Sequence, residues 1–349
     1  MSAGTKNLLS VRGLTKHFPI RGGVFGRVHG HVRAVDGIDF DIGEGETYAL
    51  VGESGCGKST TGQTLLRLIE PTAGAAHFDG RNIFELNPQE LRTLRRQMQI
   101  VFQDPYSALN PRKTVEAAIA ETLSIHGIAH GSNAREKARD VLERCGLARY
   151  HGSRYPHEFS GGQRQRVVIA RALALDPRFV VADEPVSALD VSIQSQIVNL
   201  MKDLQRDFSL TYLFISHDLA VVKHTADRIG VMYLGNLVEE APRDELFRNP
   251  QHPYTQALIS AIPPSNPWTK RKRIVLKGDV PSPANPPTGC PFHTRCPYVM
   301  EVCRTAKPEL RQSAGGHRVA CHLVHPHDAA RTPAAAGSAA GDAVSAVDG

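Results

Sequence analysis

Two short groups of residues in this chain have the types and spacing that phosphate chemistry needs. Gly52-Glu53-Ser54-Gly55-Cys56-Gly57-Lys58-Ser59 fits the pattern G-x4-G-K-[ST], with Thr60 next. A loop of this kind lets backbone N–H groups converge on the β- and γ-phosphates at a helix N-terminus. Lys58 would neutralise phosphate charge, and Ser59 would coordinate Mg²⁺. The second group is Asp183-Glu184, directly after the apolar run Phe179 to Ala182. Asp183 suits Mg²⁺, held directly or through water, and Glu184 suits a general base that orients and polarises the attacking water. Together they describe hydrolysis of a nucleoside triphosphate. Cys56 sits where a helix N-terminus would lower its thiol pKa; the alternatives are a redox switch or a small residue tolerated in the loop.

The elements that position these groups follow from the apolar pattern. Thr47 to Val51 reads as a buried strand ending at the glycine loop, and Lys58 to Ile69 has helical spacing with Leu65, Leu66 and Ile69 on one face. Gln99 to Phe102, Phe179 to Ala182 and Leu213 to Ile215 are further short strands, the last ending at Ser216-His217. Strands that end in polar residues and lead into helices predict an α/β sheet with its chemistry at the carboxyl edge. Glu116 to Ile125 and Ala134 to Cys145 look helical, which predicts a helical subdomain inserted over 105–160. Thr72 to Ala75, Asn110-Pro111 and Tyr155-Pro156 supply turns. Beyond 240 proline becomes dense and little regular structure is expected before the cysteines. The segment 326–349 is too poor in large apolar residues to offset its ordering entropy and is expected to be disordered. The division is thus 1–240, 241–325 and a tail.

The chain has 349 residues, 41% of them apolar, and a formal charge of +6, mild enough for an ordinary solvated surface. Its first residues lack the layout of a secretion signal. No apolar run reaches the ~18 residues of a membrane span. Lys270 to Arg273 is a short basic run that reads as an exposed loop.

Phe159-Ser160-Gly161-Gly162-Gln163-Arg164-Gln165-Arg166 resembles the signature of the ABC-type ATPases. Further residues match that family in order. Gln103 resembles the Q-loop glutamine, a ligand to Mg²⁺ or water. His217 resembles the switch histidine at the γ-phosphate, and Asp190, in Ser187-Ala188-Leu189-Asp190, resembles the D-loop. Phe18 is chosen as the adenine-stacking aromatic by register with the family's first strand, with Phe25 and His29 as alternatives. From about residue 8 to 325 the chain resembles the ATP-binding subunits of bacterial oligopeptide/dipeptide ABC importers. That narrower likeness rests on Arg21 to Gly26, Asn249 to Thr255, Gly278 to Pro283 and the cysteine-bearing tail.

The resemblance implies an α/β P-loop ABC ATPase core with an antiparallel β-subdomain, an inserted helical subdomain and a cysteine-containing C-terminal extension. It implies a second ATPase subunit, identical or a paralogue, two membrane permeases and an extracytoplasmic peptide-binding protein, at the cytoplasmic face of the membrane. ATP and Mg²⁺ would bind between the phosphate loop of one subunit and Ser160, Gly161, Gly162 and Gln163 of the other, with the D-loop packed across the dimer. Importers of nickel, glutathione or another small solute are the alternative within the group. A soluble ABC protein of translation or DNA repair carries two cassettes or a long coiled coil, both missing here, and no nucleic-acid partner is expected. A P-loop kinase would leave the signature and His217 without roles.

Six cysteines are present, four of them late, at Cys290, Cys296, Cys303 and Cys321. Their spacing, C-x5-C-x6-C-x17-C, is neither a paired C-x2-C zinc pattern nor a common ferredoxin run. The resembling importers include members with a [4Fe–4S] cluster at such cysteines, which makes that cluster the leading reading. Zinc at the same thiolates and unligated cysteines are the alternatives.

Overall fold

A computed structural model describes residues 6–22, 27–263 and 273–325. Phe25, most of the basic run at 270–273 and the tail 326–349 lie outside the described residues.

Five strands form the parallel heart of the larger sheet: Met98–Val101, Phe179–Asp183, Thr211–Ser216, Thr47–Val51 and Arg228–Tyr233, in that spatial order. The strands Thr47–Val51, Phe179–Asp183 and Thr211–Ser216 are buried at every position, as expected for parallel strands covered on both faces. The chain after Thr47–Val51 runs to the far side of the sheet, and the strand on its other flank, Arg228–Tyr233, comes later. The phosphate loop therefore leaves the sheet where the strand order reverses, the usual crevice for a ligand in such sheets.

The smaller sheet is antiparallel, in the order Arg27–Gly43, Asn7–Gly22, Ala73–Phe78, Arg81–Asn82. It shares a core with the phosphate-loop side of the larger sheet, through Leu9, Phe40, Tyr48, Leu65, Phe78, Phe179 and Met232. Helices Val115–Ile125 and Gly131–Arg144 pack together within 105–160. They bury Val115, Ile119, Ala138 and Leu142 in the core cluster that also holds Val167 and Ile169.

Two local expectations need correction. The helix after the loop spans Lys58–Leu65 and stops short of Ile69. Arg67 takes a left-handed backbone (φ 49°) just past the helix end, and its guanidinium donates to Leu86 O at 2.6 Å. Thr72 to Ala75 is not a turn: Ala73 opens the strand Ala73–Phe78, paired with Asn7–Gly22.

Past residue 240 there is more regular structure than proline content suggests. Helices Arg243–Arg248 and Pro253–Ser260 precede the cysteines. Strands Arg318–Val319 and Arg311–Gln312 then extend the larger sheet beyond Asn236–Pro242. The join is sealed by a fully buried pair, His317 Nε2 to Glu239 Oε1 at 2.6 Å. Glu239 also accepts from the backbone N–H groups of Gln251 and His252. A buried carboxylate needs such partners to offset its desolvation.

Candidate functional site

The phosphate loop has its shape because two of its positions exclude a side chain. A Cβ on Gly57 (φ 106°) would stand 1.9 Å from Ala34 O, and one on Gly52 (φ 154°) 2.2 Å from Met232 O. The loop thus fits between the antiparallel sheet and the neighbouring parallel strand. Lys58 is 4% exposed, and its ammonium donates to Gly52 O at 2.8 Å and Glu53 O at 3.0 Å.

Below the loop, the Ser59 hydroxyl donates to Asp183 Oδ1 at 2.8 Å. Burial raises the Asp183 carboxyl above its ordinary value; the charge of Glu184 adds to this, while the Ser59 bond and Lys58 oppose it. A hydroxyl and a desolvated carboxylate side by side are hard oxygen donors suited to Mg²⁺, which takes few protein ligands and keeps several waters.

At the rim, the Glu184 carboxylate lies between two residues from other strand ends. Gln103 Nε2 donates to Glu184 Oε2 at 2.9 Å, and His217 Nδ1 lies 3.1 Å from Glu184 Oε1. Glu184 also has a left-handed backbone (φ 46°), held by donation from its N–H to Ile215 O at 3.0 Å. Such strain in a residue without glycine's freedom persists only where neighbours impose it, and it gathers at working sites. Ser54, Gly55, Gly57, Lys58, Ser59, Thr60, Gln103, Glu184 and His217 line one open cleft of 450 Å³. Such a cleft can take a polyphosphate and set a carboxylate against an attacking water.

Other expected residues sit elsewhere. Ser160, Gly161, Gly162 and Gln163 do not line this cleft. They begin the helix Gly161–Leu173, where Ser160 and Gln163 cap each other: Ser160 N–H donates to Gln163 Oε1 at 3.1 Å and Gln163 N–H to Ser160 Oγ at 3.4 Å. A Cβ on Gly162 would meet Ile193 Cγ2 at 2.5 Å, so the glycine lets the helix beginning at Val191 approach. Asp190 is exposed at the start of that helix and makes no side-chain cap. Phe18 is half-buried, paired in register with Val32, with Lys16 Nζ 4.8 Å from its ring centre; Val32 lines the cleft and Phe18 does not. His29 is exposed and also outside the lining.

Cys56 corrects the expectation of a lowered thiol pKa. Its side chain is 5% exposed, and burial pushes the thiol up despite Lys58 nearby. A protonated, buried thiol is a small packing residue rather than a nucleophile.

Sequence reasoning missed Val32, Ala34 and Pro283, which complete the cleft wall. Pro283 arrives because Arg33 N–H donates to its carbonyl at 2.9 Å, across a separation that no local pattern reveals.

The match to known proteins covers nearly the whole chain. Residues 35–187 match the ABC transporter family, and residues 238–303 match the oligopeptide/dipeptide transporter C-terminal region. The oligopeptide transport ATP-binding protein AppF of Bacillus subtilis is 54% identical over 325 residues, spanning 92% of this chain and 99% of the relative. The chain belongs to the ATP-binding subunits of the oligopeptide ABC transporters. A putative peptide import ATP-binding protein of Brucella ovis is 53% identical over 314 residues, covering 90% of this chain and 97% of its own length. The dimeric ATP-binding cassette MJ0796, solved in a post-hydrolysis state with ADP and Pi, is 30% identical with a TM-score of 0.60. It aligns over 67% of this chain and 98% of its own. This transporter ATPase is therefore an ABC-type enzyme coupled to transport.

The four late cysteines of the transporter ATPase are all free thiols; Cys290 and Cys303 are buried, Cys296 and Cys321 partly so. Burial, with smaller contributions from the nearby Cys303, Cys321 and Cys296, pushes the Cys290 thiol up to about 12, against the backbone bond from Phe292. Among the described residues no three His, Cys, Asp or Glu side chains converge as ligands of one metal ion. Nor is any helix among the described residues long and apolar enough to cross a membrane.

Proposed function

We propose that this ATPase powers import of di- or oligopeptides through two membrane permeases, supplied by an extracytoplasmic binding protein, and works in a pair with an identical or paralogous ATPase at the cytoplasmic face. The observation that carries the hydrolytic part is the Glu184 carboxylate, oriented by Gln103 and His217 at the mouth of the phosphate loop. Lys58 and the loop N–H groups hold the triphosphate. Glu184 accepts a proton from the attacking water, while Gln103 and His217 keep its two oxygens aimed. Mg²⁺, held by Ser59 and Asp183 with Gln103 at hand, would neutralise charge developing on the phosphates. Ser160, Gly161, Gly162 and Gln163 would contact ATP held by the partner, with Asp190 at the seam. Their position outside this chain's own cleft supports that reading. Phe18 is the proposed adenine platform, on the strand paired to the cleft-lining Val32. Dipeptide uptake by intact cells lacking other importers tests the proposal: loss with Glu184→Gln supports it, and undiminished uptake with the variant expressed rejects it.

We further assign the 241–325 segment as an extension carrying a [4Fe–4S] cluster on Cys290, Cys296, Cys303 and Cys321. Its support is four cysteines free of any disulfide, with Cys290 and Cys303 brought together by donation from Cys290 N–H to Cys303 O at 2.8 Å. Thiolates on one zinc ion must converge on a single point. Those of a cluster bind separate irons and need not. Purification without oxygen should yield bound iron and sulfide, while zinc without iron would reject the assignment.

A further inference from the structure

The phosphate loop is braced from behind by the cysteine-bearing segment. Arg295 lies one residue before Cys296, and its side chain is only 8% exposed. Its guanidinium forms a two-point fork with Glu53, Nη1 to Oε2 at 2.7 Å and Nη2 to Oε1 at 3.1 Å. Glu53 is the second residue of the phosphate loop, between Gly52 and the cleft-lining Ser54. The Glu53 N–H donates to the hydroxyl of the fully buried Tyr254 at 2.9 Å. The Glu53 carbonyl accepts from Lys58 Nζ at 3.0 Å and from Cys56 N–H at 3.3 Å. Every polar group of this residue is thus engaged, two of them by residues about 200 or more positions away.

The brace is itself anchored. Tyr254 packs against Tyr233 with ring centres 4.8 Å apart and against Phe292 at 5.4 Å. Phe292 lies between Cys290 and Cys296, is 1% exposed, and accepts at its carbonyl from Arg295 N–H at 3.0 Å. The guanidinium also balances charge. Glu53 places a carboxylate within a loop built to receive a polyanion, and unpaired it would repel the phosphates.

We propose that Arg295 is a positioning residue for nucleotide binding, acting through Glu53, with Tyr254 fixing the same residue's backbone. The inference rests on the assignment of the phosphate loop as the nucleotide site. A planar fork orients a carboxylate where a point charge cannot, so Arg295→Lys should restore only part of what Arg295→Gln removes.

The test is calorimetric titration of the full chain with Mg-ADP, with thermal midpoints recorded in parallel. Arg295→Gln should weaken binding about tenfold in the native background and by less than about threefold in a Glu53→Gln background, because the stranded carboxylate is then gone. The same fold loss in both backgrounds, or binding within about twofold of native for Arg295→Gln, overturns the proposal. If Arg295→Gln does not fold, Arg295→Lys enters the same cycle with a smaller loss expected, and there an equal fold loss in both backgrounds, or none in either, overturns the proposal. Lys58→Ala serves as the separate control. Its loss of binding is expected, and unaltered binding there would fault the nucleotide-site assignment itself rather than the brace.

Discussion

Glu184→Gln separates holding the nucleotide from cleaving it. Glutamine has the size of glutamate, so its amide oxygen can still accept from Gln103 Nε2, now 2.9 Å from Glu184 Oε2, and its amide N–H₂ can face His217 Nδ1, now at 3.1 Å. The backbone bond to Ile215 O is untouched, so the left-handed turn survives. Stability should change by less than about 1 kcal/mol, since no buried partner is stranded and one charge beside Asp183 is removed. Lys58, Ser59 and the loop glycines are unaltered, so Mg-ATP affinity should stay within about threefold of native. What is lost, on the proposed role of Glu184, is the proton acceptor. General-base catalysis contributes roughly 10²–10⁴-fold, or about 2.7–5.4 kcal/mol on the barrier. The assay is steady-state phosphate release by the assembled transporter, with equilibrium nucleotide binding measured on the same preparation. Release within about threefold of native, with binding intact, would refute Glu184 as the base.

Gly57→Ala should cost about 2–5 kcal/mol, from left-handed strain and the collision with Ala34 O. It should also abolish nucleotide binding, and an unchanged thermal midpoint and affinity would count against the loop geometry. Burial pushes the His252 imidazole down to about 4, against the pull of Glu239. Between there and its ordinary value of 6.5 the unfolded chain binds the extra proton, so stability is complete above pH 6.5 and falls as pH drops toward 4. His252→Asn keeps a helix cap without titrating, and should flatten that acid loss by up to ~3 kcal/mol in denaturant titrations. An identical acid profile would contradict this. Asp183 has the opposite sign: its value is raised above 3.8, so the folded state binds the proton more readily and stability is lost as pH rises above 3.8. Asp183→Asn should therefore raise the thermal midpoint of nucleotide-free protein at pH 8, more than at pH 4, while losing Mg-dependent hydrolysis. No gain at pH 8 would contradict the cause assigned.

The strands were legible because parallel strands buried on both faces are unbroken apolar runs. Thr47–Val51 matches its expected bounds, and Phe179–Asp183 and Thr211–Ser216 differ by only a residue or two. Errors arose where distant residues decide local conformation. The helix from Lys58 stops early, at Leu65, where Arg67 turns left-handed and bonds to Leu86 O, a partner that local spacing does not reveal. The small-residue reading of Cys56 holds, but the direction of its thiol pKa was misread because helix-end electrostatics are visible in sequence, whereas the burial that outweighs them is not. The strands at 311–312 and 318–319 are too short to show periodicity, and they exist because the edge strand Asn236–Pro242 and the buried Glu239 receive them.

By itself the sequence determined the chemistry available to this chain: a loop whose glycines, lysine and serine suit a triphosphate, two adjacent acids at a strand end, and the ordered glutamine, signature and histidine of an ABC ATPase. The loop and the paired acids are legible because each depends on residues close in the chain; the glutamine, signature and histidine are read from resemblance to the family, by type and order. Only the tertiary structure decided which groups meet. It set Gln103 and His217 on the Glu184 carboxylate, kept Ser160 and its neighbours out of the same cleft, and drew Arg295 and Tyr254 onto Glu53. Those contacts depend on strand order and on packing between residues far apart in sequence, and no local periodicity encodes that distance.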